Sequence, residues 1–374
     1  MLERPSPQFP SVAFLWPALA AEATSEFASA LAREFTTLAV GPATQPSDAE
    51  PQWTTPHTVA LEFASVRLRD FSTAQDGIPA LICAPYALHG ATVADFAPGH
   101  SLVAALRSAG LRRLFVTDWR SAAPDMRFLS IDSYLADLNV LVDEIGGQVD
   151  LIGLCQGGWL ALIYAAHFPA KVRKLVLAGA PIDNAAAGSG LSEIARNTPM
   201  SLFQELVDIG QGRILGQHIL QFWAQYSFDR GGVHRLLQSA DAVDSPAFQR
   251  LERRFREWYA WTVDLPGTYY LQVVEQLFKE NRLAAGRFAA LGRPVDLAAV
   301  RCPLFLLAAH DDELVAPEQI FATESLVGSS PGAIRKTVAP GGHLGLFMGR
   351  TILSDIWPRI ARWLTPEDVA RSAA

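Results

Sequence analysis

The residues Gly153-Leu154-Cys155-Gln156-Gly157, with Gly158 behind them, set a nucleophile between small neighbours. An apolar strand-like run, VDLIGLC, leads in, and an apolar helix-like run, GGWLALIYAAHFP, leads out. A side chain presented on so tight a strand-to-helix turn needs neighbours without bulk, which Gly153 and Gly157 supply. Gln156 would open the helix, so its backbone N–H is free to hold an oxyanion. The positive end of the helix dipole would also face the sulfur. The plainer reading is a buried, inert cysteine in a glycine-rich turn.

A thiol needs a base, and the base needs a group to orient it. The run LFLLAAHDDELVAP reads as a strand followed by two acids. Asp312 is favoured because D-E-L-V-A-P places it on the loop leaving the strand, and Asp311 is the alternative. The plainer reading there is a solvated acidic turn. Further on, VAPGGHLGLF delivers His343 after two glycines that let the loop reach back; against this stands a loop histidine with a packing role. In the chemical reading, His343 Nε2 takes the Cys155 proton and Asp312 holds the other ring nitrogen. The sulfur attacks an ester or thioester carbonyl, and water or an alcohol resolves the acyl-cysteine. Backbone N–H groups of Gln156 and of the 86–88 loop, taken as Ala87, would bind the oxyanion.

Other residues are weaker candidates. His89, before Gly90, falls where an oxyanion loop should lie, but an ordinary turn histidine fits as well. His310 reads as a strand-end residue, and Cys83 and Cys302 as core thiols. Trp223, Tyr226, Trp258, Tyr259, Trp261, Tyr269 and Tyr270 could line an apolar substrate pocket, although packing is the commoner use of each. No zinc-ligand spacing and no phosphate loop is present, so no cofactor or metal is expected.

The elements that must position these groups follow from pattern. VALEF and VRLRDF, PALICAP, LFVTDW, VDLIGLC, VRKLVLAGAP, CPLFLLAAHDD and RKTVAP read as strands. SLVAALRSAG, residues 130–146 (with Ser130 as N-cap and Gly146 as stop) and IWPRIARWL read as helices. Strands alternating with helices argue for an α/β fold with a mostly parallel sheet flanked by helices. Four segments are expected: residues 1–57, an N-terminal helical segment and proline-rich linker; 58–183, the first part of the core; 184–299, an inserted helical cap; and 300–374, the second part of the core. The chain has 374 residues, half of them hydrophobic, and a net charge of −7. That composition excludes a disordered chain, and the acidic balance argues against nucleic acid as partner. Three cysteines make no disulfide framework and point to a reducing compartment. No apolar run is long enough for a transmembrane helix, and residues 11–21 read as a short helix rather than a signal peptide.

The elbow and the order nucleophile, acid, histidine are those of the α/β-hydrolase fold. Within it the chain resembles the superfamily of polyhydroxyalkanoate synthases and intracellular polyhydroxyalkanoate depolymerases, over about residues 59–364. LIGLCQGG with YAAHFPAKVRKLV, and VDLAAVRCPLFLLAA, are similar to the short class III type synthases. LEFASVRLRDF, APYALHGAT, VDLPGTYYLQVVEQLF and GHLGLFMGR look like the depolymerase branch. Gly157-Gly158 stands where that branch usually has a proline, as in synthases. The resemblance implies a Cys155–Asp312–His343 triad in either branch, and a cytoplasmic protein at or near polymer granules. It places a depolymerase or esterase acting on 3-hydroxyalkanoate esters slightly ahead. A synthase taking 3-hydroxyacyl groups from coenzyme A thioesters is the alternative, with a thioesterase or a non-enzymatic granule-surface protein behind it. Expected partners are polymer, oligomers or 3-hydroxyacyl-CoA, with homodimer or granule association open.

Overall fold

The computed structural model describes residues 49–222 and 230–365, and side chains for all of these except 221, 222 and 230. The expected helix within residues 1–40, together with Trp223 and Tyr226, lies outside the described residues.

Eight strands form one sheet: β1 (Thr58–Glu62), β2 (Val66–Asp70), β3 (Ala80–Cys83), β4 (Leu114–Trp119), β5 (Val149–Leu154), β6 (Val172–Ala178), β7 (Leu304–Ala309) and β8 (Ile334–Ala339). Their order across the sheet is β1-β2-β4-β3-β5-β6-β7-β8. Only the β1–β2 and β2–β4 pairings are antiparallel; the other five are parallel. This is an α/β-hydrolase fold.

The strands alternate their side chains between two cores, as a pleat with helices on both faces requires. Leu81, Cys83, Leu151, Leu175, Leu177 and Leu306 face one side with α2 (Ile131–Glu144) and α3 (Gln156–His167). Ile82, Val116, Ile152, Leu154, Val176 and Leu307 face the other, against α1 (Leu102–Ser108) and the C-terminal helix Trp357–Leu364. Ser130 caps α2 as expected, its hydroxyl accepting from Ser133 N–H. Almost every residue of α3 is buried, so its apolar residues run all round the helix rather than along a stripe.

Between β6 and β7 the chain is mainly helical: α4 (Gly190–Asn197), α5 (Met200–Ile209), α6 (Gly216–Phe222), α7 (Arg230–Leu237), α8 (Pro246–Ala260) and α9 (Gly267–Gln272). A π-helical turn, Val273–Lys279, prolongs α9. Two small ladders escaped the sequence reading of this stretch: Arg213–Ile214 pairs with Leu265–Pro266, and Ala289–Ala290 with Arg293–Pro294. Two-residue ladders carry no alternation to read.

The end of the proline-rich stretch is pinned to the core. Buried Asp95 accepts hydrogen bonds from the backbone and hydroxyls of Thr54 and Thr55 at 2.8 Å, and Trp53 packs 5.4 Å from Phe71. Among the described residues no helix is long and apolar enough to cross a membrane.

Candidate functional site

The turn from β5 into α3 is built by absent side chains. A Cβ on Gly157 would stand 2.1 Å from the Cys83 carbonyl oxygen, and one on Gly153 would meet Gly158 Cα at 2.5 Å. Gly158 is as constrained, since its Cβ would lie 2.3 Å from Ala180 Cβ. These contacts let α3 start directly over β3 and β6. Cys155 sits in the turn at φ +48° and ψ −120°, a region L-residues seldom occupy, with its N–H bonded to Ala178 C=O at 2.9 Å.

Asp312 and His343 lie beyond the C-terminal ends of β7 and β8. The Asp312 side chain is fully buried. One of its oxygens accepts from Leu314 N–H and Val315 N–H at 3.0 and 2.9 Å; the other meets His343 Nδ1 at 2.8 Å. Asp311 is exposed and pairs with the exposed His310 instead, so of the two neighbouring acids it is Asp312 that meets His343. Burial opposes a charge on His343, but the Asp312 carboxylate and then the Cys155 sulfur outweigh it and hold the imidazole pKa well above its ordinary value. His343 Nε2 is buried and has no hydrogen bond of ordinary geometry, although the thiol is near enough to act on it. Gly179, which the sequence reading passed over, closes this side. It has φ +57°, and a Cβ there would approach His343 Cε1 to 3.0 Å.

The loop after β3 lies opposite. Its Tyr86 hydroxyl donates to Arg120 C=O at 3.0 Å and receives the Tyr134 hydroxyl at 3.2 Å. Leu88 C=O accepts from Val263 N–H at 3.1 Å. The loop is thereby tied to both the core and the residues preceding α9. Gln156 opens α3, and its side chain is engaged with Trp159 Nε1 at 2.5 Å. The backbone N–H of a first helical residue has no intrahelical partner.

Cys155, Gln156, Ala87, His89 and His343 all line one cavity of about 250 Å³, whose wall is otherwise overwhelmingly apolar. Trp258 and Tyr259 of α8 and Tyr269 and Tyr270 of α9 belong to that wall, as do Phe203 and Leu202 of α5. Trp261 does not; its ring packs over Gly90, where a Cβ would meet it at 2.7 Å. Four of the sequence-predicted aromatics are thus lining rather than filler. Cys83 is a core residue and Cys302 packs, partly buried, against the core; burial pushes their thiols up to about 12 and about 11.

A family described as a protein of unknown function (DUF3141) matches residues 56–349. The poly(3-hydroxyalkanoate) polymerase subunit PhaC of Synechocystis sp. is 31% identical over 299 residues, covering 76% of each chain. That of Allochromatium vinosum is 28% identical over 291 residues, covering 76% of this chain and 78% of the relative. The chain belongs to the DUF3141 family, within the polyhydroxyalkanoate synthase and depolymerase superfamily. Among solved structures, the monoacylglycerol lipase of Paleococcus ferrophilus superposes with a TM-score of 0.54 at 17% identity, covering 80% of this chain and 98% of the lipase. That likeness concerns the fold. These relatives shift the balance within the superfamily: those at 31% and 28% identity are named polymerases, which favours the synthase alternative over the depolymerase reading that the sequence motifs put slightly ahead.

Proposed function

We propose that this protein is an acyltransferase of the polyhydroxyalkanoate polymerase type, working through an acyl-cysteine at Cys155. The observation that carries the proposal is the thiol on a strained elbow at one end of an apolar cavity, beside a buried histidine clamped by a buried aspartate. The polymerase names of the relatives favour transfer over hydrolysis as the outcome.

In the first half-reaction the Cys155 proton passes to His343, and the sulfur attacks the carbonyl carbon of a 3-hydroxyacyl thioester. The carbonyl electrons move onto oxygen, held by the N–H groups of Gln156 and Ala87. The carbon–sulfur bond to coenzyme A then breaks, and the leaving thiolate takes the proton from His343. In the second half-reaction His343 accepts the proton of a chain-end hydroxyl as its oxygen attacks the acyl-cysteine. The thiolate leaves and recovers the proton. Asp312 offsets the charge on the imidazolium in each half and keeps Nδ1 protonated, so that Nε2 faces the sulfur.

The test supplies pure protein with 3-hydroxybutyryl-CoA and measures thiol, polymer and free 3-hydroxy acid together. Thiol release with insoluble polymer, abolished in Cys155→Ala, is expected. Release of 3-hydroxy acid without polymer, or the same acid released from amorphous polymer, would move the protein to the hydrolytic side. Undiminished thiol release by Cys155→Ala would remove the cysteine mechanism altogether.

A further inference from the structure

His89 stands in the wall of the same cavity and takes no part in the mechanism above. Its ring packs at a tilt against Trp258, at 4.4 Å between centroids, and Tyr259, at 4.9 Å. Its Nδ1 lies 3.1 Å from the Trp261 carbonyl oxygen. A carbonyl oxygen only accepts, so Nδ1 carries the proton and Nε2 of the neutral ring is a bare lone pair. That Nε2 has no hydrogen-bond partner among the described residues and is sealed from water in this arrangement, so a ligand hydroxyl reaches it only as the ring turns towards the cavity that His89 lines. The nearest indole N–H does not serve it, because Trp258 Nε1 donates to Thr92 Oγ1 at 3.2 Å. Burial pushes the imidazole down to about 4, so the ring stays neutral and Nε2 stays an acceptor at ordinary pH. A buried acceptor without a donor is costly, and its natural complement is a ligand that brings one.

The chemistry of the proposed substrate narrows the donor. Along a hydroxyalkanoate ester or acyl thioester, carbonyl and ester oxygens only accept. The hydroxyl is the single donor of the acyl portion. We infer that His89 Nε2 receives the hydroxyl of the 3-hydroxyacyl group, making His89 the residue that separates hydroxylated from plain acyl substrates. The inference rests on the acyl-transfer reading for its substrate and on the orphaned nitrogen for its site. A site built around a hydroxyl rejects the analogue lacking it far more strongly than an apolar pocket rejects an added one. A lone acceptor is expected to give a preference of about 10-fold or more.

Two measurements test it. In the first, single-turnover acylation of Cys155 is followed by thiol release from 3-hydroxybutyryl-CoA and from butyryl-CoA. The native protein is expected to prefer the hydroxylated thioester about 10-fold or more, and His89→Phe, which keeps an aromatic ring against Trp258 and Tyr259, to lose that preference to within about threefold. Equal rates in the native protein, or a preference that survives His89→Phe, overturn the inference. The second needs no turnover and no substituted His89. Nitrogen-15 NMR of histidine-labelled Cys155→Ala protein is recorded with methyl 3-hydroxybutyrate and with methyl butyrate. The hydroxy ester is expected to move the Nε2 resonance of His89, and the plain ester to leave it. Movement with both or with neither overturns the inference. Movement with the hydroxy ester alone, in a protein whose thiol assay fails, would sustain the His89 site and reject the acyl-transfer reading.

Discussion

The backbone at Cys155 makes a stability prediction whose sign is unusual for a glycine substitution. At φ +48° and ψ −120° the residue lies where a Cβ is in conflict with its own backbone, at a cost of about 1–3 kcal/mol for a non-glycine residue. Cys155→Ala and Cys155→Gly both remove the sulfur, so comparing them cancels what the thiol contributes. Alanine keeps the strain and glycine releases it. Against this, glycine adds about 0.5–1 kcal/mol of unfolded-state entropy. It also forgoes one methyl group in a half-buried place, roughly 0.4 kcal/mol from about 0.8 for full burial. With the strain near the middle of its range, Cys155→Gly should be the more stable by about 1 kcal/mol. For a chain of this size that is about 1–2 °C in Tm, and a matching rise in urea midpoint at constant slope. Neither variant should form an acyl-enzyme. Paired thermal and urea unfolding of the two variants decides it. If Cys155→Gly unfolds at or below Cys155→Ala, the strain at the elbow is no larger than what glycine gives up, about 1 kcal/mol, and a mid-range strain at Cys155 is refuted.

Four further outcomes follow from the same geometry. Gly157→Ala would drive a methyl to 2.1 Å from the Cys83 carbonyl of a central strand, so α3 must retreat by about 1 Å; a loss of about 1–3 kcal/mol in stability and a fall of roughly 100-fold in acylation are expected, and a native Tm and rate would contradict it. Asp312→Asn removes the strongest influence raising the His343 pKa, so the acid limb of the pH–rate profile for Cys155 acylation, below which the base is protonated, should move to lower pH, while Asp311→Asn leaves the profile in place. The stability contributed by that raised imidazole is complete below its unfolded pKa of about 6.5 and fades as pH rises through the folded value, so the stability difference between native protein and Asp312→Asn should shrink towards alkaline pH; a difference that grows would reverse the assignment. In folded protein, iodoacetamide should alkylate Cys155 first, because Cys83 is fully buried with its thiol held up at about 12 and Cys302 is held at about 11; peptide mapping showing early Cys83 modification would be inconsistent with this core.

What the sequence makes legible is local. The central strands β3, β4, β5 and β7 are largely apolar runs of the right length, whereas the edge strand β8, IRKTVA, is mostly polar, and the glycines around Cys155 announce a turn without room for side chains. Asp311 and Asp312 could not be separated that way. Their difference comes from where β7 ends, which turns one carboxylate into the core towards His343 and the other to solvent. Gly179 carried no signal beyond its position after a strand, because what it makes room for is a histidine more than 160 residues away. The cavity wall is harder still. Tyr269, Tyr270, Trp258 and Tyr259 have the spacing of packing residues, and only the docking of α8 and α9 against the loop after β3 decides that they face a void. His89 shows the same limit. The sequence marks it only as a weak oxyanion-loop candidate that an ordinary turn histidine fits as well; what buries its ring and engages one nitrogen are three aromatic residues some 170 positions later.

In the proposed reaction, whether the acyl-cysteine meets water or a hydroxyl turns on what the cavity can hold in place. Bulk water competes at roughly 50 M, whereas a nucleophile fixed against its target can reach effective molarities of 10⁵ M or more, so positioning decides the outcome even where some water enters. The wall beside Cys155 has few polar groups with which to order a water, and an apolar wall leaves a water molecule short of the two to four partners it needs. A hydroxyalkanoate chain, by contrast, has methyl and methylene groups for that wall, ester oxygens that need little, and one hydroxyl. The two reacting partners then make different demands: the acyl group must leave its own hydroxyl unreactive while it sits on sulfur, and the chain end must offer its hydroxyl to His343. An acceptor at His89 would meet the first demand by engaging the hydroxyl of the bound acyl group away from the base. It would leave His343 Nε2, which faces the Cys155 sulfur, for the chain end. On this argument His89→Phe should raise the share of free 3-hydroxy acid and cyclic or short products at a given rate of thiol release, because an untethered acyl group no longer holds one orientation. A product distribution unchanged from the native protein would mean that His89 selects the substrate without governing its fate.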